Sequence, residues 1–139
     1  MIVRKARKSD LRAVMKMARK MWPDVKTSDL RPDYLFYIAE EDERLIGFIL
    51  LNIRRDYVAG STTWPVGYIE GLYVEKEWRK KGVGRQLVQA AEEWCAGKGF
   101  KELGSDVDLH NKISQQFHSR AGFKKGKLIV PYIKKVRPR

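Results

Sequence analysis

A basic segment with two glycines is the part of this sequence whose residue types point most directly to chemistry. It spans Arg79–Arg85 and reads Arg-Lys-Lys-Gly-Val-Gly-Arg. An alternating, strand-like run precedes it and an amphipathic, helix-like run follows it. Glycines let backbone N–H groups approach a phosphate closely, and a helix N-terminus with flanking cations favours negative charge. The segment therefore predicts a phosphate-binding turn at the start of a helix.

Two common phosphate-binding motifs do not fit this segment. A P-loop needs Lys-Ser/Thr after its last glycine, and the dinucleotide fingerprint needs three glycines. The spacing resembles instead the Arg/Gln-x-x-Gly-x-Gly/Ala turn of the GNAT N-acetyltransferases, which binds the pyrophosphate of acetyl-CoA. The resemblance implies a set of cofactor-binding residues in this turn: Arg79, Lys80, Lys81, Gly82, Val83, Gly84 and Arg85.

Length and composition indicate a single globular domain spanning residues 1–139. Apolar residues make up 43% of the chain, and 29 basic against 17 acidic residues give a net charge of +12. No acidic residue follows Asp108, although basic residues continue to Arg139. A basic flank of this kind can attract nucleic acid or an anionic cofactor, or can form a solvated face. We expect cofactor attraction rather than nucleic-acid binding.

The sequence carries no sign of a membrane segment, a secretion signal or a metal site. No apolar run approaches the roughly 20 residues that cross a bilayer, and the chain starts with a charged strand pattern. Cys95 is the single cysteine, so it cannot form an internal disulfide, and Cys–His metal spacing is absent. We expect a cytoplasmic protein without a metal and with an inert, buried thiol.

Apolar periodicity predicts the order strand, helix, three strands, helix, strand, helix and two final strands. This order matches the GNAT fold, an α/β fold with a mixed central β-sheet flanked by helices on both faces, in which the phosphate turn follows the fourth strand. The predicted strands are Ile2–Ala6, Tyr34–Ala39, Leu45–Ile53, Val66–Glu75, Phe100–Asp106, Phe123–Ile129 and Tyr132–Val136, and the helices cover 9–21, 82–95 and 112–121.

Further blocks of sequence look like the aminoglycoside 6'-N-acetyltransferases, and they cover most of the chain from Met21 to Phe123. The resemblance implies an enzyme that transfers acetyl from acetyl-CoA to the primary amine of a small molecule, and a homodimer whose apolar C-terminal strand could pair across subunits. The blocks are Met21-Trp22-Pro23, the loop sequence at 53–60, Tyr68–Val74, Gly104-Ser105-Asp106, Asn111–Ser114, His118 and Gly122-Phe123.

The same resemblance implies roles for individual residues. Acceptor contacts fall on Trp22, Tyr57, Glu70 and Asp106. Outside the phosphate turn, cofactor contacts fall on Leu72, Tyr73, Val74, Asn111 and Ser114. The first three of these residues offer their backbone to the acetyl and pantetheine groups.

His118 stands where many GNAT enzymes place a tyrosine that protonates the departing CoA thiolate. An imidazolium could donate that proton. A histidine beside Phe117 in a helix could equally pack against its neighbours or bond a backbone carbonyl. Both interpretations stay open at the level of sequence.

Two carboxylates near a reactive amine would bind its ammonium form, and the reaction then also needs a proton acceptor. At about 4 Å and an effective dielectric of 20, each contact with an ammonium is worth roughly 4 kcal/mol before desolvation. The same attraction stabilises the unreactive, protonated amine, so a base is needed. Glu70 is the expected base, directly or through water, with Asp106 beside it. Tyr68, Glu70 and Leu72 should alternate onto one face of the strand, unless a bulge at Gly71 redirects the later residues.

Two alternative functions remain compatible with the residues. A protein, peptide or polyamine N-acetyltransferase fits the cationic run Lys124-Lys125-Gly126-Lys127, which favours a less cationic acceptor than an antibiotic. A non-catalytic acyl-CoA sensor or nucleic-acid-binding module could use the same fold. The carboxylates Glu70 and Asp106 speak against this second alternative.

Overall fold

In the computed structural model, which describes residues 1–138, five strands form one sheet in the order β1-β2-β3-β4-β5. Neighbouring strands are antiparallel except β4 and β5, which are parallel. The expected mixed sheet with helices on both faces is confirmed. The strands are β1 (Ile2–Lys5), β2 (Leu35–Glu41), β3 (Arg44–Arg54), β4 (Val66–Val74) and β5 (Leu103–Ser105), and the helices are α1 (Leu11–Met21), α2 (Val83–Lys98) and α3 (Lys112–Arg120).

Helix α1 covers one face of the sheet. Its apolar residues recur at helical spacing and pack against alternate residues of β2 and β3, because successive side chains of a strand point to opposite faces of the sheet. The helix ends at Met21, because Trp22-Pro23 follows and proline cannot continue it. This packing includes the buried residues Val14, Met17, Ala18, Phe36, Ile38, Phe48 and Leu50.

Helix α2 covers the opposite face. Left-handed glycines bound it, Gly82 with φ of 86° before its first turn and Gly99 with φ of 78° after its last. Cys95 on this helix is buried, and burial raises the pKa of its thiol to about 11, so the thiol stays protonated at neutral pH. The packing on this face includes Ile49, Leu51, Ile69, Leu87, Val88, Ala91 and Trp94.

A β-bulge interrupts the pairing of β3 with β4. Leu50 pairs with Gly71, but Leu51 pairs with Ile69, so Glu70 is the extra residue. Before the bulge, Tyr68 lies opposite Asn52, on the side of the sheet that α1 covers. After it, Leu72 packs in the cluster on the α2 side. The exception to the expected alternation therefore applies: a bulge redirects Leu72 to the other face, but its extra residue is Glu70 instead of Gly71.

Strands β4 and β5 pair over a short length only. Gly67–Ile69 pairs with the three residues of β5, and β4 then continues to Val74 with no pairing on that side. Among the described residues, the second half of β4 thus has an edge with unpaired backbone groups. The two strands separate at Ile69 and Ser105 and leave an opening in the sheet.

The two predicted C-terminal strands are wrong for residues 123–138. This segment forms no helix or strand. Phe123 is partly buried against the core on the α2 side, but the apolar side chains from Leu128 onward are exposed, Tyr132 by 93% and Ile133 by 100%. Strands need pairing partners, and within the described chain none pairs with it. The remaining predicted elements are confirmed, with ends that differ by up to three residues. No helix within residues 1–138 is both long and apolar enough to cross a membrane.

Candidate active site

The phosphate turn, residues Arg79–Arg85, leads from the end of β4 into α2. Lys80 adopts the left-handed conformation with φ of 62°, and Gly82 does so with φ of 86°. No side chain caps the α2 N-terminus in the described residues. A Cβ at Gly82 would meet nothing within 4 Å. The first-turn N–H groups of α2 are therefore available to an anion, as a phosphate-binding turn requires.

The four cations of the turn have different surroundings. The Arg79 guanidinium donates through Nε to the carbonyl oxygen of Val74 at 2.8 Å, and Arg85 donates through Nη2 to the carbonyl oxygen of Arg120 at 3.1 Å. These two side chains hold the turn to β4 and to the end of α3. Lys80 and Lys81 are exposed, and Lys81 Nζ lies 5.3 Å from the Trp78 ring centroid. The lysines are thus the side chains best placed to meet phosphates.

Gly84 has a packing role that the sequence did not indicate. A Cβ at Gly84 would lie 3.1 Å from Cε1 of Phe117 on α3. Added bulk would press on that ring, whose Cζ would also lie within 3.2 Å. The motif glycine therefore brings α2 and α3 into close contact, and a bulky substitution there should disturb this packing.

Polar side chains of β3, of β4 and of the residue that follows β5 form a connected group that we call the acceptor cluster, with Glu70 at its centre. The Arg54 guanidinium donates through Nη2 to both carboxylate oxygens of Glu70, at 3.0 and 3.1 Å. Asn52 donates through Nδ2 to Glu70 Oε2 at 2.9 Å. Glu70 is therefore held on two sides. The cluster comprises Asn52, Arg54, Tyr68, Glu70 and Asp106.

Tyr68 connects the two carboxylates of the acceptor cluster. Its ring lies under the Arg54 guanidinium, whose central carbon is 3.6 Å from the ring centroid, and its hydroxyl donates to Oδ2 of Asp106. Burial and this hydrogen bond raise the pKa of Tyr68, so its hydroxyl stays protonated as a donor. Asp106 is exposed, and its other oxygen makes no hydrogen bond to the described residues. One guanidinium and two carboxylates leave the cluster with net negative charge.

Two aromatic residues border the acceptor cluster. Trp22, at the end of α1, lies against Gly71, where a Cβ would overlap the indole. Tyr57 is 75% exposed in the loop after β3. The next residue, Val58, is buried against Tyr68 and so fixes this loop beside the cluster. All four residues predicted to contact the acceptor therefore lie on or beside one end of the sheet.

The residues predicted on α3 lie on the other side of the sheet. Asn111 is the N-cap of α3, and its Oδ1 accepts a hydrogen bond from the Ser114 N–H at 3.1 Å. His118 Nε2 is 2.8 Å from Oγ of Ser105, at the point where β4 and β5 separate. His118 thus bonds a side chain as well as packing beside Phe117.

Sequence reasoning missed Asn52, Arg54, Tyr68 and Ser105 as site residues. A signal exists for the first two. On the α1 side of β3, Phe48 and Leu50 are followed by Asn52 and Arg54, so an apolar stripe turns polar where the strand passes the helix. For Tyr68 and Ser105, the partners lie on other elements, and local pattern gives no indication.

Comparisons with known proteins identify the family of this chain. The profile of the acetyltransferase (GNAT) family matches residues 6–123. An aminoglycoside N(6')-acetyltransferase type 1 from Salmonella enteritidis is 34% identical, over 97% of this chain and 99% of the relative. The corresponding enzyme from Acinetobacter haemolyticus is 31% identical, over 98% and 99%.

Solved structures of such enzymes superimpose closely on this chain. AAC(6')-Iy in complex with the bisubstrate analogue CoA-S-monomethyl-acetylneamine gives a TM-score of 0.91 at 30% identity, covering 97% of this chain and 98% of that one. The apo structure of AAC(6')-IG from Acinetobacter haemolyticus gives 0.90 at 31% identity, covering 99% and 100%.

The family profile and the full-length relatives define an acetyltransferase, and the chain belongs to the GNAT acetyltransferase family. It is an acetyl-CoA-dependent N-acetyltransferase that resembles the aminoglycoside 6'-N-acetyltransferases. The expected fold, family, activity and co-substrate are confirmed.

Proposed function

We propose that this enzyme acetylates the 6'-amine of an aminoglycoside. The observation that carries the proposal is a site of net negative charge on a chain of net charge +12, formed by Glu70 and Asp106 against the single cation of Arg54. Such a site attracts a polycationic amine. Curated relatives that match nearly the whole chain act on aminoglycosides, which supports the same substrate class.

The unpaired edge of β4 suits the acetyl donor. Backbone N–H groups beyond Ile69 are free of β5 and can polarise the acetyl carbonyl and stabilise the oxyanion of the tetrahedral intermediate. The backbone of Leu72, Tyr73 and Val74 would hold the acetyl and pantetheine groups, and the phosphate turn would hold the pyrophosphate. Alignment of donor and amine can supply roughly 7–11 kcal/mol of the barrier reduction.

The two carboxylates of the acceptor cluster suit different tasks. Both oxygens of Glu70 are bound by Arg54, so Glu70 is better suited to position the amine than to take a proton from it. Asp106 is exposed and keeps one oxygen free of hydrogen bonds within the described chain. We therefore assign the general-base role to Asp106, directly or through water, and the anchoring role to Glu70.

A matched pair of acceptors tests the substrate. Neamine carries an amine at the 6' position, whereas paromamine carries a hydroxyl there. We expect thiol release from acetyl-CoA and a mono-acetylated product with neamine, and neither with paromamine. Turnover with both acceptors would show that the enzyme acetylates an amine other than the 6'-amine. Turnover only with spermidine or a lysine peptide would favour the polyamine or peptide alternative.

We infer that the enzyme is a homodimer joined through the segment 123–138. Exposed apolar side chains recur along this segment, and β5 is paired within the described chain on its β4 side alone. A second copy could pair its segment with this free edge. Light scattering should give twice the monomer mass, and Ile133→Asp should give the monomer mass. A monomeric wild-type chain would overturn this inference. Cytoplasmic location stays a prediction from the sequence.

A further inference from the structure

The imidazole of His118 is fixed on three sides. Its Nδ1 lies 2.8 Å from the carbonyl oxygen of Ser114, one turn earlier on α3. A carbonyl oxygen only accepts, so Nδ1 carries a hydrogen. The rings of Phe117 and Phe123 lie against the imidazole, with centroid distances of 5.8 and 5.1 Å. This arrangement directs Nε2 at Oγ of Ser105, 2.8 Å away.

Ser105 lies at the opening in the sheet. It is the last residue of β5 and pairs with Ile69, after which β4 continues without a β5 partner. The next residue, Asp106, reaches Tyr68 on the acceptor side. Because successive strand residues point to opposite faces, the Ser105 side chain lies on the side of α3. Ser105 thus lies between His118 and the unpaired edge of β4.

We propose that Ser105 and His118 form a proton relay that protonates the leaving thiolate. The proposal rests on the proposed function for the position of the thioester along the β4 edge. A hydroxyl that bridges an imidazole and a leaving group can pass on a proton that the imidazole cannot deliver itself. Ser105 is then the terminal proton donor, and His118 is the residue that restores its proton.

Atoms and electrons balance in the relay. The amine nitrogen forms a bond to the acetyl carbon, and the carbon–sulfur bond breaks with its electron pair left on sulfur. Sulfur takes the proton of the Ser105 hydroxyl, and Oγ takes the Nε2 proton of the His118 imidazolium. The neutral imidazole regains a proton from solvent, and the amine loses its protons to Asp106 and solvent. No oxidant or further reactant is needed.

Direct donation by His118 would disturb the observed contacts. Turning Nε2 away from Ser105 would break its 2.8 Å contact and the Nδ1 hydrogen bond to Ser114, and would move the ring from between Phe117 and Phe123. The relay uses the ring as it stands. It also gives Ser105 a role that packing alone does not require, since alanine would fit the same strand position.

The first test compares two acetyl donors in the full-length enzyme, using whichever amine the wild type acetylates. Acetyl-CoA releases an alkyl thiolate that needs a proton, whereas the acetyl thioester of 5-thio-2-nitrobenzoate releases a stable aryl thiolate. We expect Ser105→Ala and His118→Ala to lower turnover with acetyl-CoA by about 10²-fold, the lower end for lost general-acid catalysis. With the aryl thioester, we expect their rates to equal the wild-type rate. Equal losses with both donors would overturn the relay.

Controls separate the relay from a structural role and from the proposed function. Ser119→Ala changes an exposed serine on the same helix and should match the wild type with both donors. Ser105→Thr keeps the hydroxyl and should retain turnover. The double variant should be no slower than the slower single variant, because either change breaks the relay; multiplied losses would contradict it. A wild type that acetylates other amines but not neamine would refute the proposed acceptor while leaving the relay testable.

Discussion

The phosphate turn and the acceptor cluster bind opposite charges and are built in opposite ways. The turn is one continuous segment in which two arginines fix the backbone and two lysines are exposed. The cluster draws on β3, β4 and the residue after β5, and its partners Tyr68 and Asp106 are 38 residues apart. The turn works chiefly through backbone N–H groups, whereas the cluster works through side chains. Single side-chain substitutions should therefore lower enzyme activity more in the acceptor cluster than in the phosphate turn.

The largest expected effect is that of Asp106→Asn. If Asp106 takes the proton of the acceptor amine, turnover at neutral pH should fall by about 10²–10⁴-fold, a range typical of lost general-base catalysis. The rate should partly recover at higher pH, where free amine accumulates. A pH–rate profile parallel to that of the wild type, with turnover intact, would remove Asp106 from this role. The Michaelis constant for acetyl-CoA serves as the internal control and should not change.

Glu70→Gln should act on acceptor binding more than on turnover. The substitution leaves the Arg54 charge without its partner, beside a cationic acceptor, so the acceptor Michaelis constant should rise about tenfold, equivalent to about 1.4 kcal/mol. Adding Arg54→Gln removes the repulsion and should recover part of that loss. If turnover instead fell by about 10²-fold or more while acceptor affinity stayed unchanged, the general-base role would return to Glu70.

Gly84→Ala should change stability before it changes acetyl-CoA binding. The new methyl group presses on Phe117, and overpacking of this kind costs about 1–3 kcal/mol. Thermal unfolding measures the loss, and Phe117→Leu should reduce it. Gly97→Ala is the matched control, since Gly97 lies in the same helix with nothing within 4 Å of an added Cβ. Unchanged stability with a raised Michaelis constant for acetyl-CoA would assign Gly84 to the phosphate site instead.

Lys81→Ala should have the smallest effect. An exposed charge contributes about 0.2–1 kcal/mol, so the Michaelis constant for acetyl-CoA should rise by about 1.5- to fivefold at low salt. The increase should shrink as ionic strength rises, because salt screens exposed charges. A loss as large as that of Asp106→Asn would contradict the contrast between a backbone site and a side-chain site.

Local pattern predicted most of the fold. Periodicity and glycine positions located all three helices and the first five strands, because helices depend on residues close in sequence and each of these strands has both a local apolar pattern and a partner in the sheet. The final strands failed since strand formation depends on a pairing partner, which local pattern cannot supply. The apolar run within Leu128–Val136 is present, but among residues 1–138 it has no strand to join.

The parts of the site formed by residues close in sequence were predictable, and the parts formed by contacts between distant elements were not. The phosphate turn could be found from seven consecutive residues. The ion pair of Arg54 with Glu70 depends on the register of β3 with β4, including one bulge. The contact of Ser105 with His118 depends on how α3 packs under β5. Neither register nor packing angle is encoded in any short stretch of sequence.

The bulge at Glu70 makes the number of residues in β4 matter as much as their identity. Deleting Glu70, the residue between Ile69 and Gly71, would give regular pairing in which Leu72 and Tyr73 keep their partners Ile49 and Phe48, so the strand would lose its central carboxylate without turning over. Substitution libraries never sample this state, whereas a single codon deletion reaches it in one step. The number of residues in β4 is thus a feature of the active site that a residue-by-residue comparison of side chains does not record.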